Sequence, residues 1–195
     1  MAPLKNLSAA LGAWAFRFRG GLWTLFFLGV FFVAQPNVLT FLCGLPFVLL
    51  GQGIRFWGAG SICRYRGEVV QAEQLVTWGP FAWLRNPLYL GNGLIGLGWS
   101  LMAGMPLILV LYALFFVLLY PGIIIPHEEN FLQRTFGDAY SRYRERTPML
   151  FPRSLRPPNS WRGPFNGEIL WKSERHSLYV TLGGTALFLL KIFLA

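Results

Sequence analysis

Charged side chains are scarce in this chain: they make up 13% of its 195 residues, and only eight are Asp or Glu. A soluble domain carries roughly 25%, so a wholly water-facing domain is excluded. Cysteine is nearly missing, with two residues, Cys43 and Cys63. One falls inside an apolar run and the other at its end, which excludes a disulfide framework and leaves both as packing residues. The two histidines have no companions at ligand spacing, so no metal centre is expected. His127 is read as a supporting residue. What the chain has in quantity is apolar surface: 54% hydrophobic residues, with 18 Phe and 8 Trp.

That surface is gathered into runs. A bilayer-crossing helix needs roughly 20 apolar residues, and five stretches approach this: residues 21–34, 38–60, 88–102, 107–125 and 178–194. The first and third are short, at roughly 15 residues against that requirement. The pattern predicts an all-α, polytopic membrane helical bundle of about five transmembrane helices. It forms a single domain over 1–195, with a core region at 75–152 and an additional C-terminal span at 176–195. The connectors 35–37 and 103–106 are tiny and uncharged, so the spans are expected to pair as two hairpins. Lys5, Arg17, Arg19 and the Phe-rich run after them resemble a secretory leader, but no small-x-small cleavage site follows Val33-Ala34-Gln35-Pro36. A retained first span is expected.

The basic residues orient the bundle. Of the 17 Lys and Arg, all but Lys191 fall on one side if the spans alternate in that order. The positive-inside rule makes that side cytoplasmic, with the N-terminus on it. The expected location is a bacterial inner membrane. The net charge of +9 then reflects topology and attraction to anionic lipid headgroups. Nucleic acid is not an expected partner, because no recognition motif accompanies the basic residues. Arg55, embedded between Ile54 and Phe56-Trp57, is expected to snorkel to the interface.

Two stretches at the edges of the spans carry the polar chemistry. In Arg85-Asn86-Pro87-Leu88-Tyr89-Leu90-Gly91, Pro87 pushes Asn86 out of helical geometry and marks the start of the third span. Arg85 can grip a carboxylate or phosphate in a fork, and Asn86 can both donate and accept. Tyr89, in the first turn, offers a ring for stacking, or else belongs to an aromatic belt. Gly91-Asn92-Gly93-Leu94-Ile95-Gly96 spells a dinucleotide fingerprint but lacks the strand before it, so close helix packing is the reading of those small residues. The second stretch starts at Pro126-His127-Glu128-Glu129. Pro126 suits a first helical position, and the two carboxylates suit a first turn. They also suit a site for a cationic group or a proton. Leu132, Phe136, Tyr140 and Tyr143 share one face of this cytoplasmic amphipathic helix, and Phe136-Gly137-Asp138 is placed to bend it.

Taken together these residues resemble the integral-membrane methyltransferases that include isoprenylcysteine carboxyl methyltransferase. That family's pattern runs from a Gly-Pro-aromatic turn to Arg-His-Pro-x-Tyr-x-Gly, a span, Glu-Glu-x-x-Leu, Phe-Gly-x-x-Tyr-x-x-Tyr and a final Pro. Here it reads Gly79-Pro80-Phe81, residues 85–91, Glu128-Glu129-Asn130-Phe131-Leu132, residues 136–143, and Pro148 or Pro152. Asn86 stands where the family has His, and an extra span follows the motifs. The resemblance implies S-adenosylmethionine as methyl donor, with Asn86, Pro87, Tyr89, Gly91, Glu128, Glu129 and Tyr140 around it. It implies Arg85 and Glu129 as catalytic groups, and a lipophilic small molecule or lipid-modified substrate as acceptor. A carboxylate acceptor needs only an orienting cation such as Arg85, whereas an amine would assign Glu129 as base. Phospholipid N-methylation, an NADPH-dependent membrane reductase and a non-catalytic scaffold are the rival readings.

Overall fold

The computed structural model describes residues 2–62, 74–154, 156 and 158–194. Cys63, named above, lies outside the described residues. Seven helices are described: α1 (Ala2–Val33), α2 (Val38–Ser61), α3 (Pro87–Met102), α4 (Pro106–Leu119), α5 (Ile125–Phe136), α6 (Asp138–Arg146) and α7 (Gly167–Leu194). Four stretches are long and apolar enough to cross a membrane: Ala10–Val33, Val38–Ser61, Pro106–Phe136 and Gly167–Leu194. Large apolar side chains such as Leu25, Leu49, Leu114 and Phe193 stand exposed on the outside, as lipid-facing residues must. The chain is an integral membrane protein.

About five spans were expected and four stretches meet the length and apolarity of one; the lengths differ too. At 16 residues, α3 is the short member, about 24 Å long at ~1.5 Å per residue. The first span, expected to be short, is 24 residues long, Ala10–Val33. The last helix begins at Gly167, which draws residues expected in a polar connector, Glu174 among them, into the bundle.

Local chemistry explains the ends. Asn37 accepts from the Thr40 N–H while Thr40 Oγ1 accepts from the Asn37 N–H, a reciprocal cap that starts α2. Pro87 and Pro106 sit in the first turns of α3 and α4, where a missing N–H costs nothing. Between them Gly104 takes φ +73°, and a Cβ there would lie 2.4 Å from Gln35 O.

α5 starts at Ile125 with Pro126 in its first turn, as expected, but that start is not free. Residues Pro106–Phe136 form one run of 31 residues, with a wide turn at Tyr120–Ile124 in which the Ile125 N–H reaches back to Tyr120 O. Proline rings at 121 and 126 clash with the carbonyl four residues back, and widening the turn relieves this without ending the helix. Glu128 and Glu129 therefore do not sit at a free helix N-terminus. The expected bend is real: Gly137, at φ +51°, separates α5 from α6.

Packing also departs from two simple hairpins. The closest pair is α2 with α3, and its cause is glycine. A Cβ on Gly44 would fall 2.3 Å from Gly98 O, and one on Gly51 2.6 Å from Gly91 O, so only bare backbone fits. Gly51→Val is expected to cost about 1–3 kcal/mol, or to force the helices apart, and a thermal melt in detergent measures it. The aromatic face of α1 instead reaches α4, with Phe26 stacked on Phe115 at 4.5 Å. Cys43, expected to be a packing residue, is exposed.

Candidate active site

Two polar constellations meet where α3 begins and the long helix passes. The first is built on residues 85–86. After the short turn Gly79–Ala82, the Arg85 and Asn86 N–H groups donate to Pro148 O at 2.8 Å and Met149 O at 3.2 Å. The chain following α6 is thereby strapped against the start of α3. Arg85 then grips Glu129 of α5 in a fork, Nε to Oε1 at 2.8 Å and Nη2 to Oε2 at 3.2 Å. Its Nη1 donates to Thr147 O at 2.6 Å and Arg144 O at 3.0 Å. Asn86 Nδ2 donates to Met149 O at 3.2 Å and, at 3.4 Å, to Glu129 Oε1. A forked arginine fixes both position and plane of the carboxylate it holds.

The second constellation lies one turn along α3. Tyr89 donates to Glu128 Oε2 at 2.7 Å, and its ring packs 4.9 Å from that of Tyr120 in the wide turn. Glu128 and Glu129 are only 5% and 7% exposed. Carboxylates so far from water need charged or hydrogen-bonding partners, and each has them here.

Tyr140 completes the first group. It is buried, and its hydroxyl lies beside Glu129 without closing a hydrogen bond. Burial, followed by the neighbouring Glu129 charge, pushes its ionisation well above the ordinary tyrosine range. Tyr140 thus stays a neutral donor. Tyr143 donates to Phe81 O at 2.8 Å, pinning α6 to the Gly79–Ala82 turn.

Of the residues singled out in the sequence, Arg85, Asn86, Glu129 and Tyr140 come together, and Tyr89 joins Glu128 beside them. Pro87 is buried at the start of α3. Gly91 faces elsewhere: a Cβ there would meet Arg55 Cγ at 2.5 Å and Gly51 O at 2.7 Å, so it serves the α2–α3 contact. His127 packs on α1, its ring 6.3 Å from that of Phe16.

Arg55 does not snorkel to the interface. Its Nε and Nη2 each donate to Glu174 of α7 at 2.9 Å, with side-chain exposures of 15% and 5% for the pair. Its Nη1 donates to Asn92 Oδ1. Asn92 Nδ2 donates to the Tyr120 hydroxyl at 2.8 Å, and so does Trp23 Nε1 of α1. Sequence reading missed this network. Its one signal was an ionisable residue inside an apolar run, which in a membrane bundle asks for an internal partner. Among the described residues, no three of His, Cys, Asp and Glu gather as a metal-holding group.

The phospholipid methyltransferase family model matches residues 39–139, from α2 to the start of α6, which takes in Arg85, Asn86, Tyr89, Glu128 and Glu129 and stops short of Tyr140. The chain belongs to that family. Nickel-cobalt-cadmium resistance protein NccN of Alcaligenes xylosoxydans xylosoxydans is 40% identical over 85 residues, covering 43% of this chain and 38% of the relative. Cobalt-zinc-cadmium resistance protein CzcN of Cupriavidus metallidurans is 33% identical over 158 residues, 80% of this chain and 64% of the relative. Protein-S-isoprenylcysteine O-methyltransferase of Schizosaccharomyces pombe is 30% identical over 128 residues, 63% of this chain and 51% of the relative. The matches thus span less than two thirds of the length of these relatives. No solved structure matches the chain.

Proposed function

We propose that this protein is a membrane-embedded, S-adenosylmethionine-dependent methyltransferase at the cytoplasmic face of a bacterial inner membrane. Its acceptor is a lipid or isoprenoid-like molecule that reaches the site laterally from the bilayer, and the reaction is carboxyl O-methylation. The observation carrying this reading is the pair of buried carboxylates, Glu128 and Glu129, each held by a residue of the Arg85-to-Tyr89 segment. Membership of the methyltransferase family supports it, and so does the gathering of basic residues at that end of the bundle.

The residues present fit such a donor. Buried carboxylates suit an ammonium group and ribose hydroxyls, and the neutral Tyr140 hydroxyl lacks a hydrogen-bond partner. Glu129 would hold the ammonium, with Asn86 and Tyr140 beside it, while Glu128 and Tyr89 would face the ribose. Pro87 sets where α3 begins, and Gly91 keeps α3 close to α2. When bound, S-adenosylmethionine supplies an activated methyl group on a sulfonium. The protein's part is positioning, since an in-line displacement gains most from holding the two partners in register. Four N–H groups of Arg85 are engaged by protein acceptors, so Arg85 acts by fixing Glu129. A carboxylate held this way suits binding better than proton abstraction, which favours an acid acceptor over an amine. The isoprenylcysteine relative's name points to the same acceptor class.

Calorimetric titration of the detergent-solubilised protein tests this. S-adenosylhomocysteine is expected to bind in the micromolar range and NADPH not at all. Binding of NADPH alone would move the chain to the reductases.

A further inference from the structure

Tyr120 is fully buried between the Tyr89–Glu128 pair and the Arg55–Glu174 network, and its neighbours dictate which way its hydroxyl works. Glu174 only accepts and Arg55 only donates. The atom of Asn92 that meets Arg55 must therefore be Oδ1, which turns Nδ2 toward Tyr120. An indole nitrogen also only donates, so Trp23 adds a second N–H aimed at the same phenol oxygen. With two donors on that oxygen, Tyr120 keeps one capacity: to give its own proton away.

We propose that Tyr120 is the hydrogen-bond donor to an oxygen of a lipophilic acid acceptor, and that Glu174 is the positioning residue that sets its direction through Arg55 and Asn92. This rests on the methyltransferase reading and adds a specificity device to it. The direction matters because an ammonium group offers only N–H and finds no partner at Tyr120, whereas a carboxylate or ester oxygen does. The surroundings agree. Phe16, Leu119 and Ile124 form the apolar wall there. Arg19, one helical turn before Trp23 on α1, lies with its guanidinium 4.0 Å over the Phe16 ring. It adds positive charge on the same face. Trp23, Arg19 and Glu174 all lie outside the family-matched segment, so α1 and α7 add this feature to the shared core.

The test uses the full chain in maltoside micelles, with radiolabelled oleate, oleylamine and methyl oleate as probes and S-adenosylhomocysteine as control. Tyr120→Phe keeps the ring and removes the proton. It is expected to weaken oleate at least about tenfold, the scale of a hydrogen bond to a charged group, while oleylamine and S-adenosylhomocysteine stay within about twofold. Asn92→Asp removes no hydroxyl. Its carboxylate only accepts, so it turns the Tyr120 proton inward, and the neutral ester methyl oleate is expected to weaken as well. Oleate binding unchanged in Tyr120→Phe would overturn the proposal, as would no oleate binding to the parent protein. Methyl oleate unchanged in Asn92→Asp would overturn it too, and that variant decides the matter where Tyr120→Phe does not fold. Loss of S-adenosylhomocysteine binding by the parent protein is a separate outcome: it removes the donor reading and leaves the oleate comparison readable.

Discussion

Replacing Glu129 with glutamine is expected to weaken S-adenosylhomocysteine binding by roughly 10- to 100-fold while the bundle stays folded. Glutamine keeps the volume and one acceptor oxygen toward Arg85, but it removes the charge that would hold an ammonium group. A charge-assisted hydrogen bond contributes about 1.5–3 kcal/mol, which sets that range. Both substitutions remove the counter-charge of Arg85, held at 2.8 Å from Glu129 in the parent, but Glu129→Ala also removes every acceptor oxygen at that position. Breaking a buried pair from one side costs about 3–5 kcal/mol. Calorimetry and a thermal melt on the two variants therefore separate binding from folding. A glutamine variant that binds like the parent would remove Glu129 from the donor site. The pair would then be a structural clamp between α3 and α5.

The second large effect is expected at the other buried pair. Glu174→Ala should destabilise the protein by about 3–5 kcal/mol, because Arg55 then sits inside the bundle with, among the described residues, the Asn92 amide oxygen alone to meet its charge. For a chain of this size that corresponds to a fall of roughly ten degrees in melting temperature. The double variant Arg55→Met with Glu174→Leu should recover most of the loss, since well-packed apolar residues replace a buried pair without penalty. It should not recover acceptor binding, because Asn92 loses the group that fixes its amide. Recovery of stability together with full acceptor binding would reduce the pair to a rivet between α2 and α7. No loss of stability in Glu174→Ala would mean that water reaches Arg55.

The membrane character of this protein and most of its helices were legible in the sequence, because burial in lipid is decided locally. An apolar run of the right length forms a helix wherever it sits, since every backbone N–H must find a partner within its own segment. Caps and prolines are local too, so the start of α3 at Pro87 and the break at Gly137 could be read directly. The grouping of Arg85, Asn86 and Glu129 was legible only through resemblance, since 44 residues separate Arg85 from Glu129. The tertiary structure alone decided which buried faces meet. Pro126 signals a helix start by local rules, yet the chain runs through it, because a wide turn at Tyr120–Ile124 absorbs the clash and packing of Ile124 and Ile125 in the core holds it. Arg55 signals an interfacial anchor by itself, yet it is paired, because Glu174 lies 119 residues away on a helix that only the folded bundle brings alongside. Composition and period determine what a segment is. The partner of a buried charge depends on the rotation of each helix about its axis, which the packing of Gly44 and Gly51 against α3 sets.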